Sequence, residues 1–172
     1  MITVFGGSRC AADSDEYLEA IKLGRLLAEE GFDVCSGGYS GIMEAISRGV
    51  HEAGGHATGF TMEQFKASPN PYLKKIVPTR DFYERLQSLI RESAGYIALR
   101  GGMGTLTEIS LVWNKLQTRV LSPRPLILLG ECWQPAITGL RQHLVISDDD
   151  MSLLSFAATA EEAIAILMGR LL

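Results

Sequence analysis

Cysteine is scarce in this chain. Three occur among 172 residues, Cys10, Cys35 and Cys132, an odd number with neither a CxxC pair nor Cys/His metal spacing. That pattern excludes a disulfide framework and a zinc ribbon, and the three read as free, reduced thiols. The three histidines, His51, His56 and His143, stand at no triad or ligand spacing. They are read as surface or structural groups, and no metal site is expected. Long apolar stretches are also missing: none approaches the ~20 residues that span a bilayer. The opening Met1-Ile2-Thr3-Val4-Phe5 lacks the charged and long apolar regions of a signal peptide. The expectation is a cytoplasmic chain that meets no membrane. Basic charge is in deficit, with 16 Lys plus Arg against 20 Asp plus Glu and a net charge of -4. There is no global attraction for a nucleic-acid backbone, so nucleic acid is not an expected partner. The run Asp148-Asp149-Asp150 lacks calcium-loop spacing and reads as a solvated loop. The remaining composition, 47% hydrophobic and 21% charged, is that of one globular domain over residues 1–172.

Strand-like and helix-like segments alternate along the chain. Ile2 to Phe5 is a short apolar run ending at Gly6-Gly7, followed by a helix that Asp13 or Ser14 can cap. Tyr17, Ala20, Ile21, Gly24, Leu27 and Ala28 share one face of that helix, and Gly31 stops it. Phe32 to Cys35 reads as a strand, Gly41 to Ala53 as a helix with Ile42, Met43, Ile46 and Val50 inward, and His56 to Thr61 as a strand. Residues 62 to 74 form an irregular connection to which no chemistry is assigned. A strand at Lys75 to Pro78, a helix from Phe82 to Glu92 with Phe82, Leu86, Leu89 and Ile90 near one face, and a strand at Tyr96 to Leu99 follow. A helix runs from the Gly101 to Gly104 turn to about Leu116, a strand covers Pro125 to Leu129, and a helix Trp133 to Leu144. A last strand at Leu154 to Ala158 leads to a helix capped by Thr159. Trp113 and Trp133 are expected in the core or an oligomer interface. This alternation predicts a Rossmann-like, three-layer α/β/α fold with a mostly parallel sheet.

In such sheets ligands bind beyond the carboxyl ends of the strands, where helix N-termini present unpaired N–H groups. Three loops have that form: Gly6-Gly7-Ser8-Arg9, Ser36-Gly37-Gly38-Tyr39-Ser40-Gly41 and Arg100-Gly101-Gly102-Met103-Gly104-Thr105. Glycine lets backbone approach phosphate oxygens closely, and Ser8, Ser40 and Thr105 can add hydroxyl donors. Each Gly-Gly pair alone could serve only as a tight turn; three at corresponding positions point to a phosphate site. The spacing is neither G-x-G-x-x-G with an acid about 20 residues on, nor a Walker A loop. A mononucleotide or sugar phosphate fits better.

Glu108 lies four residues after Gly104, facing with Thr105 toward the crevice. A carboxylate there can activate water or stabilise a cationic sugar, as glycosidic hydrolysis requires. It can equally be a solvated first-turn acid on its helix dipole. Arg85 can reach the same crevice with a planar fork suited to phosphate or carboxylate, or can form a surface ion pair with Asp81 or Glu84. Cys10, near the first loop, is read as a packing residue.

The segment Arg100-Gly101-Gly102-Met103-Gly104-Thr105-Leu106-Thr107-Glu108 resembles the PGGxGTxxE motif of the LOG family, long labelled possible lysine decarboxylases. Val4-Phe5-Gly6-Gly7-Ser8 is similar to that family's opening strand and turn. Ser36 to Met43 is similar to its GGGxxGLM segment, and Glu84-Arg85 falls on its helix-borne arginine. The resemblance covers nearly the whole chain. It implies a Rossmann-like homodimer that hydrolyses the N-glycosidic bond of nucleoside 5′-monophosphates, without metal or organic cofactor. It also implies Arg85 and Glu108 as the catalytic pair, with Gly7, Ser8, Arg9, Gly37, Gly38, Ser40, Gly41, Met43, Gly101, Gly102, Met103, Gly104 and Thr105 holding the nucleotide. Decarboxylation would need pyridoxal phosphate on a lysine, yet Lys22, Lys66, Lys74, Lys75 and Lys115 all lie away from the glycine loops. Arg100 replaces the motif's proline, Leu86 replaces a lysine common after the arginine, and Glu44 replaces a small residue. Retention of Arg85 and Glu108 favours hydrolysis. Leu86 and Arg100 favour divergence toward a non-catalytic carrier, as in the molybdenum-cofactor carriers of similar fold. A protein-interaction scaffold would leave the three loops unexplained.

Overall fold

Fourteen elements are seen in the computed structural model, which describes residues 1–91 and 93–171. The strands are β1 (Ile2–Phe5), β2 (Val34–Ser36), β3 (Ala57–Met62), β4 (Lys75–Thr79), β5 (Gly95–Ala98), β6 (Leu126–Leu129) and β7 (Leu154–Ala157). The helices are α1 (Asp15–Glu29), α2 (Ile42–Glu52), α3 (Phe82–Arg91), α4 (Met103–Gln117), α5 (Trp133–His143), α6 (Asp148–Ser152) and α7 (Ala160–Leu171). The sheet runs β4-β3-β2-β1-β5-β6-β7, and every pairing among the described residues is parallel.

The central strands are apolar on both sides because both faces are covered. Ile2, Val4, Ile97, Ile127 and Leu129 point into a core with α1, α2 and α7. Phe5, Tyr96, Ala98, Leu126 and Leu128 point into another with α3, α4 and α5. On the first face α1 and α2 lie backbone to backbone: a Cβ on Gly49 would stand 2.0 Å from the Ile21 carbonyl oxygen. On the second face α3 is tied to the sheet by its last carbonyls. Leu89 O accepts from Thr3 Oγ1 at 2.6 Å and Ile90 O from Tyr96 Oη at 2.7 Å. No helix among the described residues is long and apolar enough to cross a membrane.

Several expectations are corrected. The Asp148 to Asp150 run is the first turn of α6, not a loop, because Ser147 and Asp150 form a reciprocal capping box that satisfies two amides. Phe82, expected on the inward face of α3, is 38% exposed, while Leu86, Leu89 and Ile90 are buried. The strand expected from Phe32 begins at Val34, where pairing with β1 and β3 starts. The expected end of α3 at Glu92 lies outside the described residues. Trp133 is buried, and half-buried Trp113 donates from Nε1 to Asp150 O at 2.8 Å, joining α4 to α6.

Candidate active site

Strand order steps outward from β1 in one direction through β2 and in the other through β5, so the switch point lies between β1 and β5. All three glycine loops leave the sheet around it, and they are knitted together. Gly7 N donates to Arg100 O at 3.1 Å, Ile42 N to Gly7 O at 2.9 Å, and Ser40 Oγ to Ser8 O at 3.1 Å. Two glycines are required by this packing. Gly41 has φ 67°, and a Cβ there would stand 2.4 Å from Gly7 O. A Cβ on Gly101 would stand 2.1 Å from Thr105 Oγ1 and 2.9 Å from Gly7 N. Gly102 and Gly104 differ: no heavy atom lies within 4 Å of the position a Cβ would take on either. Gly102 is also the N-cap of α4 and supplies no side-chain cap, so the first-turn amides of α4 have no capping side chain.

α3 and α4 aim Arg85 and Glu108 at one another behind these loops. Arg85 Nη1 lies 3.9 Å from Glu108 Oε1, with the side chains 8% and 11% exposed. This rules out both the surface ion pair of Arg85 and the solvated role of Glu108; Glu84 is taken instead by Arg80. The guanidinium is held by its own surroundings. Nε donates to Phe60 O at 2.8 Å, and Cζ lies 5.8 Å from the Tyr39 ring centre and 5.9 Å from that of Phe65. Gly37 leaves room for it, since a Cβ there would fall 1.9 Å from Nη2. Burial pushes the Glu108 carboxyl up to about 7, against the opposing pull of Arg85. Burial likewise pushes Arg85 down, with Glu108 and then Tyr39 acting to raise it. An ion pair at 3.9 Å has room to tighten, or to be bridged from the side by an oxygen. A buried carboxyl poised near neutrality beside a fixed cation suits general-base or charge-stabilising work.

The other expected residues divide. Thr105 is buried, while Ser8 and Arg9 are exposed on the first loop. Ser40 spends its proton on the loop backbone. Gly38 (φ 78°) donates its N–H to Ser36 Oγ at 3.2 Å. Met43 is buried beside Gly37 and the arginine, whereas Met103 is 76% exposed and points away from the loops' packing. Arg100 turns from the crevice to Glu16, 3.0 Å away at the start of α1. Cys10 Sγ lies 3.1 Å from the Ser14 hydroxyl that caps α1. No cluster of three or more His, Cys, Asp or Glu that could hold a metal occurs among the described residues.

Sequence reasoning missed the aromatic wall. Tyr39 Oη donates to Met62 O at 3.1 Å and accepts from Met62 N at 2.7 Å. Buried Asn70 donates to Tyr39 O, and Asn70 N donates to Gly38 O at 2.9 Å. The irregular 62–74 connection is thereby fastened over the second loop, and Phe65 is carried to Arg85. An aromatic inside a glycine turn, as Tyr39 is, was the available signal; nothing local marks Phe65.

These features define a Rossmann-like α/β protein with a glycine-walled crevice and a buried Arg–Glu pair at its switch point. The chain belongs to the SLOG cluster4 family, whose model matches residues 1–147, and its motifs are those of the LOG family. It is 34% identical over 122 residues to the probable cytokinin riboside 5'-monophosphate phosphoribohydrolase LOGL5 of Oryza sativa subsp. japonica, which covers 69% of this chain and 50% of that protein. It is 30% identical over 143 residues to the pyrimidine/purine nucleotide 5'-monophosphate nucleosidase of Escherichia coli K12, covering 76% and 31%. The chain thus spans about half or less of the length of these curated relatives. Among solved structures, TM1055 matches with TM-score 0.78 and 31% identity over 98% of both chains. The molybdenum cofactor binding protein of Rippkaea orientalis matches with TM-score 0.80 over 98% and 94%, at 23% identity, a likeness of fold.

Proposed function

We propose that the protein hydrolyses the N-glycosidic bond of a nucleoside 5′-monophosphate, releasing free base and ribose 5-phosphate. The observation that carries this reading is buried Glu108, held near neutrality 3.9 Å from Arg85 beside the open amino end of α4. The 5′-phosphate sits at Gly102, Gly104 and the first-turn amides of α4, where a dianion meets unpaired N–H groups and the helix dipole. The sugar then lies over Glu108. As the C1′–N bond breaks, its electron pair leaves with the base, and the ionised carboxylate stabilises the oxocarbenium-like sugar. A water adds to C1′; Glu108 accepts its proton, which then passes to the departing base nitrogen and leaves the carboxylate as it began. Arg85, too firmly held to move far, orients the carboxylate and offers its remaining N–H groups to a phosphate or ribose oxygen. The relatives named as nucleotide monophosphate hydrolases support the reaction class. Exposed Tyr83 and Met103, on the helices that carry Arg85 and Glu108, support the expected homodimer near this site; light scattering tests it.

Incubating the protein with AMP and N6-substituted AMP, and following free base, tests the reading. Glu108→Gln and Arg85→Ala are each expected to lose at least about a hundredfold in rate, the scale of a general-base contribution. Activity surviving both substitutions removes the assignment. A carrier reading has one observation in its favour: the chain covers 99% of itself and 97% of the molybdenum cofactor carrier protein of Chlamydomonas reinhardtii, at TM-score 0.72 and 25% identity. Saturable binding of a phosphorylated ligand with no base released from any monophosphate would establish that alternative.

A further inference from the structure

At the end of the sheet opposite the crevice, the amino ends of β3 and β4 and the flank of α3 enclose a cavity of about 650 Å³. Its lining is charged in one sense. Lys74, Lys75 and Arg91 stand around it with His56, against the single lining carboxylate of Asp33. Lys74 Nζ lies 2.5 Å from His56 Nε2, so its partner there is an imidazole rather than a carboxylate. None of the three cations is in an ion pair among the described residues; other basic side chains, such as Lys66 and Lys115, are also outside the ion pairs, but these three share one concavity. Glu92, next to Arg91 in sequence, adds at most one further negative charge. Phe60 and Val77 add apolar surface to the lining, with Thr58 and Ser88 beside them. In a chain of net charge -4, three cations gathered in one concavity against one carboxylate repel one another, and an anion there relieves that repulsion.

We propose that this groove binds a small organic phosphate, its anionic group among Lys74, Lys75 and Arg91 and its body against Phe60 and Val77. The volume is of the order that encloses small metabolites, roughly 300–1,000 Å³. Three cations confined to a concavity match a compact anion and not the extended track of a nucleic-acid backbone. The groove is separate from the crevice. Phe60 stands between them, lining the cavity while its carbonyl accepts from Arg85 Nε on the other side.

Lysine footprinting of the intact protein tests the proposal without reference to any catalytic activity. Acylation of each lysine is followed by mass spectrometry at constant ionic strength, with ADP, inorganic pyrophosphate or sulfate as probe. ADP is expected to protect Lys74 and Lys75 saturably and at lower concentration than pyrophosphate, while Lys22, Lys66 and Lys115 react unchanged. In Lys75→Glu/Arg91→Glu, checked for native circular dichroism, half-protection of Lys74 is expected to need about tenfold more ADP or greater. Uniform slowing at all five lysines, equal protection by sulfate, or protection of Lys74 unaltered in the variant would each overturn the proposal. Single Lys75→Ala, which adds no repulsive charge, is expected to show the same change in smaller degree, and unaltered protection there would also overturn it.

Discussion

Replacing Glu108 by glutamine removes a titration while nearly preserving a shape. In the folded chain, burial raises this carboxyl from 4.5 to about 7, so between those values the native state holds a proton that the unfolded state has released. Stability conferred by the protonated form is therefore complete below pH 4.5 and is lost as pH rises through about 7. The gap, at roughly 1.4 kcal/mol per pH unit, comes to about 3 kcal/mol. Below pH 4.5 the acid and the amide are near-equivalent neighbours of Arg85, and wild type and Glu108→Gln are expected to unfold at similar urea concentrations. By pH 8 wild type is expected to have lost about 3 kcal/mol relative to the variant. Urea titrations at several pH values, followed by circular dichroism, read this difference directly, because every other titrating group is common to both proteins. Parallel curves across that range would refute the argument that burial dominates. Wild type gaining on the variant as pH rises would mean that the Arg85 pairing outweighs desolvation. In the catalytic reading the same group sets an acid limb in kcat/KM with an apparent pKa near 7, absent from any residual activity of the variant.

The two kinds of glycine can be separated: Gly101→Ala is expected to cost about 1–3 kcal/mol in a urea melt, because its Cβ meets Thr105 and Gly7. Gly102→Ala, with open space around it and φ of -101°, should unfold within about 0.5 kcal/mol of wild type yet weaken AMP binding measured by calorimetry. Tyr39→Phe leaves the buried Met62 amide without its acceptor and should lose about 1–3 kcal/mol, with faster proteolysis within residues 62–74. Arg100→Ala, which removes only an exposed contact with Glu16, should leave both the thermal midpoint and base release unchanged.

Much of the architecture was legible because its causes are local. Apolar runs bounded by glycine mark strands that are buried on both faces, and the inward stripe of α1 follows from spacing alone. Three glycine turns placed after β1, β2 and β5 were enough to locate the crevice, since parallel connections bring such loops to one end of the sheet. The candidate pair was named from its place in α3 and α4. What spacing could not supply was whether Arg85 would turn to Glu84 or to Glu108, which depends on Phe60, Gly37 and Tyr39 leaving it one cavity to enter. The acidic run at Asp148 was misread for a different reason: a reciprocal cap from Ser147 outweighs the loop-like composition.

The linear sequence determined the order of elements, the parallel sheet and the glycine-rich turns, because backbone preference and hydrophobic period act over a few residues. Tertiary structure alone decided which glycines pack loop on loop and which stay open, that Arg100 leaves the crevice for Glu16, and that Glu108 is driven toward neutrality. It also gathered Lys74, Lys75 and Arg91 into one groove. Each of these depends on desolvation and distance between residues far apart in the chain, and neither quantity exists before the sheet closes against its helices.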